Sequence, residues 1–171
     1  MDFEKLVTHR YSTRSYKPDP VEEEKLNKIL EAAQMAPTAA NRQPFQLIII
    51  HTEGRQEELR RIYNKDWFVE GPLVICACSL PQKSWERRKY DSKNYAIVDT
   101  SIVVDHITLQ AADIGLGTCW VGDFNPDAAR KILHIPDEVN PIAFTPLGYP
   151  NDTPRTKKRK PLEELVRYER W

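Results

Sequence analysis

The longest uninterrupted apolar segment of this 171-residue chain is only six residues long, residues 73–78. A helix needs about 20 apolar residues to cross a bilayer, so the sequence predicts no membrane-spanning helix. A short segment rich in Val and Ile is instead typical of a buried β-strand. Residues 45–50 have the same character, and the chain is therefore expected to build its core on at least two buried strands.

Helical patterns alternate with these strands. Asp19, Pro20 and Glu22 together predict the start of a helix, because a capping carboxylate, an early proline and a following Glu are N-terminal signals. Pro37 would end that helix. Further helices are expected over residues 2–8, 55–63, 95–114, 125–133 and 161–167, and further strands over 118–122 and 142–147. Helices and strands mix throughout, which predicts one layered α/β or α+β domain.

Charge and cysteine content narrow the class of protein. The 25 Lys and Arg residues balance the 25 Asp and Glu residues, which disfavours a globally basic nucleic-acid binder. Three cysteines, an odd number, do not form a disulfide framework. The charged N-terminus lacks the apolar segment of a secretory signal. A soluble, cytoplasmic protein with reduced thiols is therefore expected.

Residues 10–14, with the sequence Arg-Tyr-Ser-Thr-Arg, lie between two predicted helices. If this segment is extended, Arg10, Ser12 and Arg14 point to the same side. Guanidinium and hydroxyl groups are the donors that phosphate prefers. The segment is thus either an anion-binding site or a solvated loop with two arginines by chance.

A second basic segment, residues 155–160, carries five positive charges in six positions. Such a run is a solvated arm, a nucleic-acid contact, or a set of cations that closes over a phosphate already bound by Arg10 and Arg14. It lacks the interleaved aromatic residues on which single-stranded nucleic acids stack.

The loop that follows Pro37 carries two side-chain amides, Asn41 and Gln43, which can bind the edge of a planar heterocycle or simply satisfy a turn. The glycines at 115 and 117 do not form a dinucleotide-binding fingerprint, because position 120 is Trp. The sequence contains neither a nucleophile elbow nor a pair of histidines at metal-binding spacing. If the protein is an enzyme, a cofactor is expected to carry the chemistry.

Taken together, these segments resemble the nitroreductase family of flavoproteins. The similarity covers residues 10–16, 36–38, 41–45, 115–122, 146–150 and the basic segment before 161–165. It implies an α+β, nitroreductase-like fold in which helices flank a central, mainly antiparallel sheet. It also implies a single FMN-binding domain over residues 1–171, and a homodimer in which a C-terminal arm, about residues 151–171, crosses to the partner.

The resemblance divides the expected FMN-binding residues into two groups. The first group surrounds the phosphate and one edge of the ring, and consists of Arg10, Tyr11, Ser12, Arg14, Lys157 and Arg159. Within it, Arg14 corresponds to a cation near the pyrimidine end of the flavin. Lys158 is the alternative to Lys157.

The second group contacts the ring and the ribityl chain, and consists of Thr38, Asn41, Gln43, Asn64, Trp120, Val121 and Gly122. In the family the loop residues often come from the other subunit, and the strand amides face the reactive ring nitrogen. A Lys often follows the Asn of the ring edge by three residues, whereas this chain has Trp67 there. No catalytic acid or base and no metal ligand is predicted.

The resemblance implies an oxidoreductase that transfers hydride from NADH or NADPH, via FMN, to an electron-poor acceptor such as a nitroaromatic or a quinone. One alternative is a flavin enzyme of the same fold with other chemistry, such as dehalogenation or oxidation. The other alternative is a small nucleic-acid-binding module that uses the basic segment. The first interpretation expects a homodimer acting on a small molecule, with neither nucleic acid nor membrane as partner.

Overall fold

The computed structural model describes residues 1–171 and contains six α-helices, three short 3-10 helices and four strands. The helices are α1 (Phe3–His9), α2 (Glu23–Gln34), α3 (Gln56–Arg60), α4 (Ala96–Asp113), α5 (Pro126–Leu133) and α6 (Leu162–Leu165). The strands are β1 (Phe45–His51), β2 (Leu73–Ser79), β3 (Gly117–Thr118) and β4 (Asn140–Gly148). None of the helices combines the length and the apolar character needed to cross a membrane.

The four strands form one antiparallel sheet in the order β1-β2-β4-β3. The two strands that the sequence predicts most clearly, β1 and β2, pair with each other. β1 lies at one edge of the sheet, whereas β2 is an inner strand in which every residue is buried. The α+β class with a central antiparallel sheet is thus confirmed. The predicted strand over 118–122 is shorter than expected, because the amide of Cys119 donates to the Thr145 hydroxyl (3.2 Å) rather than to a strand carbonyl.

Two apolar clusters cover the two faces of the sheet. One contains 14 buried residues and includes the aromatic pair Phe68 and Phe144, whose ring centroids lie 6.0 Å apart. The other contains 10 buried residues and packs α2 and α4 against the sheet. Successive residues of β2 alternate between the clusters, as Val74 and Ile75 do, and burial of each such side chain contributes about 1.5–3 kcal/mol.

Helix α2 begins at Glu23, so the predicted start at Asp19 and Pro20 is wrong. Glu22 occupies the N-cap position without capping the helix through its side chain. Its carboxylate instead accepts hydrogen bonds from the Tyr149 hydroxyl at 2.7 and 2.8 Å, just beyond the end of β4. A contact distant in sequence therefore displaces the local capping signal.

Helix α4 closely matches the prediction over 95–114, and Gly115 follows it with a positive φ of 80°. Glycine adopts this left-handed conformation without steric cost, which explains why the helix ends there. The helix leaves Ile97 and Val98 exposed in this chain. Its buried residues are Ala96, Asp99, Thr100, Val103, Val104, Ile107, Thr108, Ala111 and Ala112.

Candidate functional site

The segment that follows α1 runs extended beside β3. Ser12 forms a parallel bridge with Thr118, and the amide of Thr13 donates to the Thr118 carbonyl at 2.9 Å. Side chains two residues apart on an extended segment point to the same side. Arg10, Ser12 and Arg14 accordingly line one cavity, as the sequence predicts for an extended segment.

Gly117 lets this segment approach the sheet. A Cβ atom at position 117 would lie 2.5 Å from Oγ1 of Thr13 and 2.9 Å from its Cβ and Cγ2. Any side chain at this position would therefore push Thr13 away. Because Thr13 lies between Ser12 and Arg14 in sequence, a displacement there would move both.

The chain returns to this segment after β4, where Asp152 fixes the approach. Its Oδ1 accepts a hydrogen bond from the Tyr11 hydroxyl (2.9 Å), and its Oδ2 accepts one from the amide of Arg14 (2.8 Å). Burial, followed by the hydrogen bond to Asp152, raises the pKa of Tyr11, which keeps the phenol protonated as a donor. Sequence reasoning missed Asp152; Pro150 and Asn151 signal a turn there, but nothing local identifies its distant partners.

The two ends of the chain enclose a cavity of about 270 Å³. Its walls are Arg10, Tyr11, Ser12, Arg14, Asp152, Thr153, Arg155, Thr156, Lys157, Lys158 and Arg159. Six of these side chains are cationic and only one is a carboxylate. None of the six forms an ion pair within the chain. We call this set of residues the cationic cavity.

The pKa of Lys157 is lowered by its surroundings in the cationic cavity. Partial burial lowers the pKa of its ammonium group, and repulsion from Arg10 and Arg159 lowers it further. Its Nζ donates to the carbonyls of Val7, at 3.1 Å, and Thr8 at the C-terminal end of α1, where the helix dipole favours a cation. A bound anion would relieve the remaining repulsion. Lys158 lines the same cavity, so both candidates from the sequence lie at the site.

Arg14 also contacts the segment in which the chain departs from the family pattern. The carbon centre of its guanidinium lies 5.9 Å from the ring centroid of Trp67, within the range of a cation–π interaction. Asn64, three residues earlier, does not line the cationic cavity. Trp67 therefore contacts a side chain that lines the cavity, whereas Asn64 does not line it.

The loop that carries Thr38, Asn41 and Gln43 lies outside the cationic cavity. Residues 40, 41 and 43 have positive φ values of 52°, 52° and 50° although none is glycine. The left-handed conformation costs roughly 1–2 kcal/mol at ordinary residues such as Ala40 and Gln43, and less at Asn41, because Asn adopts it more readily. Hydrogen bonds within the loop offset part of this strain: the amide of Gln43 donates to Thr38 Oγ1 (3.0 Å), and its side chain donates to Asn41 Oδ1 (3.2 Å). The loop therefore has a defined conformation, but it does not line the cationic cavity of its own chain.

The amides that follow Cys119 are not equivalent. Val121 is buried, and its amide donates to the Phe144 carbonyl at 2.8 Å. The amides of Trp120 and Gly122 donate to no other group of the chain, and the Trp120 side chain is substantially exposed. Of the three predicted residues, Trp120 and Gly122 therefore have amides free for a ligand, while Val121 anchors them to β4.

Beyond the cavity, residues 161–171 of the C-terminal arm are exposed at every position. Their large apolar side chains, among them Leu162 (72% exposed) and Tyr168 (87% exposed), pack on no core of this chain. Phe3 of α1 is similarly exposed. Exposed apolar groups of this extent are typical of surfaces that associate with another protein.

The structure is an α+β protein in which helices flank an antiparallel sheet and a cationic cavity lies where the two chain ends meet. Comparison with known proteins identifies the family. The sequence profile described as "Nitroreductase family" matches residues 7–67 and 54–149. A crystal structure of a nitroreductase family protein from Clostridium difficile 630 superposes with a TM-score of 0.89 at 40% sequence identity, covering 100% of both chains. The chain belongs to the nitroreductase family, and the expected family and fold are confirmed.

Two curated relatives carry names that specify an activity. A protein from Methanothermobacter thermautotrophicus, provisionally named NADH dehydrogenase/NAD(P)H nitroreductase, is 30% identical over 92% of this chain and 82% of its own length. A Bacillus subtilis protein named FMN reductase (NAD(P)H) is 27% identical over 98% of this chain and 73% of its own length.

Proposed function

We propose that the protein is an FMN-dependent oxidoreductase that uses NADH or NADPH to reduce an electron-poor acceptor, such as a nitroaromatic or a quinone. The names of the relatives support the enzyme class, the flavin and the nicotinamide donor. When bound, FMN supplies a ring that accepts hydride from the donor and passes the reducing equivalents to the acceptor.

The cationic cavity is the observation that carries this proposal. A phosphate monoester bears roughly −1.5 to −2 charges near neutral pH, and six cations without ion-pair partners surround the cavity. The donor set, guanidinium and ammonium groups together with the Ser12 hydroxyl, suits phosphate oxygens. The basic segment lines one cavity together with Arg10 and Arg14. This placement favours the interpretation that it binds a small anionic ligand over the interpretation that it is a freely solvated arm.

Each group of residues has its own task. Arg10, Ser12 and Arg159 bind the phosphate, with Lys157 or Lys158 beside them. Arg14, whose guanidinium lies over Trp67, would provide a positive charge beside the pyrimidine end of a bound flavin and so favour its reduction. No side chain is assigned as a catalytic acid or base.

The ring-binding half of the site orients rather than reacts. The free backbone amides of Trp120 and Gly122 would provide donors to the ring. The side-chain amides of Asn41 and Gln43 would provide further polar contacts. Together these groups would orient a bound ring.

We further propose that the working unit is a homodimer. The loop around Asn41 does not reach the cationic cavity of its own chain, so a second copy would supply it. The exposed apolar residues of the arm, such as Leu162, give that second copy a surface to cover. This arrangement explains both observations with one partner.

Spectroscopy of the purified protein tests the proposal. We expect a yellow protein with a flavin absorption spectrum that bleaches under anaerobic NADH or NADPH and recovers when a nitroaromatic is added. A protein that binds no FMN would refute the proposed cofactor. A monomer with FMN fully bound would refute the shared site but not the cofactor.

A further inference from the structure

Asp99 is a buried acid that neither the predicted FMN site nor the core packing uses. It lies in the first turn of α4 and is 2% exposed. Its Oδ1 accepts a hydrogen bond from the amide of Ala39 at 3.0 Å, whereas its Oδ2 has no partner in the chain. No lysine, arginine or histidine forms an ion pair with it.

A carboxylate in this position is poorly compensated. Burial of a charged group is costly unless it is paired or fully hydrogen-bonded, and one oxygen of Asp99 is neither. The N-terminal end of α4 offers some favourable field, but an apolar residue would avoid the cost altogether. Helix packing alone therefore gives no reason for an acid here.

The amide bonded to Asp99 belongs to the residue that begins the loop containing the left-handed residues. Ala39 is the first residue of the short turn Ala39–Asn41, and Ala40 and Asn41 both have positive φ. Thr38 closes the other end of the loop through its bond with the amide of Gln43. The Asp99 bond is the one that ties this turn to the rigid helix α4.

We infer that Asp99 is a positioning residue: its carboxylate, by accepting from the Ala39 amide, holds the loop of Thr38, Asn41 and Gln43 in the conformation that meets the flavin. This inference rests on the proposed function for the identity of the ligand. Asp99 touches neither ligand nor reacting atoms in this role. Without it, the left-handed residues relax and the loop opens.

Limited trypsin digestion of the full chain measures this opening without any cofactor. Arg42 and Gln43 are exposed, and cleavage between them requires the loop to leave its closed conformation. Asp99→Ala should speed cleavage after Arg42 about tenfold, which corresponds to about 1.4 kcal/mol, the order of the net contribution of one intramolecular hydrogen bond. Cleavage after Arg88, in a separate exposed segment, should not change.

Two variants separate positioning from general destabilisation. Asp99→Asn keeps a carbonyl oxygen for the Ala39 amide, so its cleavage rate should stay within about twofold of that of the natural protein. Thr100→Ala is the matched control, because Thr100 is equally buried on the same helix but bonds only to the Ala96 carbonyl. It should lower the melting temperature without accelerating cleavage after Arg42.

The donor side of the bond gives an independent test. Ala39→Pro removes the amide hydrogen, and proline suits this position because Thr38 before it is extended (φ −132°, ψ 152°). If both variants act through one hydrogen bond, Asp99→Ala and Ala39→Pro combined should cleave no faster than the faster single variant. If Asp99→Ala does not fold, Ala39→Pro must speed cleavage and Asp99→Asn must not.

Fluorescence titration with FMN connects the loop to the ligand. Asp99→Ala should bind FMN about tenfold more weakly with a changed flavin spectrum, while Asp99→Asn and Thr100→Ala bind like the natural protein. Unchanged cleavage and affinity in Asp99→Ala, or equal losses in Asp99→Asn, would overturn the inference. If the natural protein bound no FMN, the proposed function would fail, and the digestion would still decide whether Asp99 holds the loop.

Discussion

Gly117→Ala tests the close packing of Thr13 against β3 by adding a methyl group at the point of contact. The new methyl group would lie 2.5 Å from Thr13 Oγ1, whereas non-bonded heavy atoms prefer roughly 3.5–4 Å, so Thr13 must shift by about 1 Å. Gly117 does not have positive φ, so the effect is steric rather than conformational. Overpacking of this kind costs about 1–3 kcal/mol, and we expect the free energy of unfolding to fall by that amount.

The same shift should reach the ligand. Thr13 lies between two residues of the cationic cavity, Ser12 and Arg14, so FMN affinity should fall about tenfold for a loss of about 1.4 kcal/mol. Urea unfolding and fluorescence titration measure the two effects. Adding Thr13→Ala to Gly117→Ala removes Oγ1 and Cγ2 but leaves the 2.9 Å contact to Cβ, so it should restore only part of the stability.

Gly122→Ala is the matched control for stability, because its added methyl group would meet nothing closer than 3.9 Å. Its free energy of unfolding should lie within about 0.5 kcal/mol of that of the natural protein. If Gly117→Ala were as stable as Gly122→Ala and bound FMN normally, the close packing of Thr13 on β3 would not position the site.

Three further outcomes follow from the cationic cavity and the arm. Arg159→Ala should weaken FMN binding about tenfold and reduce its salt dependence, which titrations at two ionic strengths would check; an unchanged affinity would place the phosphate elsewhere. Because the lowered pKa of Lys157 makes this ammonium lose its proton at a lower pH than usual, FMN affinity should be full below that pKa and fall as pH rises through it. Lys157→Arg should abolish this alkaline loss in parallel pH titrations, and its persistence would assign the loss to another group. Removal of residues 161–171 should convert the dimer to monomers that bind FMN poorly in sedimentation velocity, and a truncated chain that still dimerises would contradict the role of the arm.

Local sequence signals predicted those elements whose causes are local. The strands at Phe45–His51 and Leu73–Ser79 follow from short apolar composition, and α5 begins where Asn125 caps it by accepting from the Ala128 amide (3.0 Å). Gly115 ends α4 because only its own conformation matters there. In each case the signal lies in the residue itself or in its neighbours in sequence.

The predictions were wrong or incomplete where a feature depends on contacts between residues distant in sequence. Tyr149 displaces the start of α2 from Asp19 by binding Glu22 across 127 residues. Asp152 accepts from the amide of Arg14 and Asp99 from the amide of Ala39, yet nothing near either acid in sequence indicates its partner. The sequence leaves three alternatives for the basic tail, because nothing local shows that it folds back to line one cavity with Arg10 and Arg14.

A comparison of FMN with riboflavin tests the central idea most directly, since the two ligands differ only in the phosphate. If the cationic cavity binds that phosphate, fluorescence titration should give FMN an affinity at least about 100-fold higher, equivalent to about 2.8 kcal/mol. Arg10→Ala should narrow the difference by weakening FMN alone. Equal affinities for the two flavins would contradict a phosphate site at the junction of the chain ends.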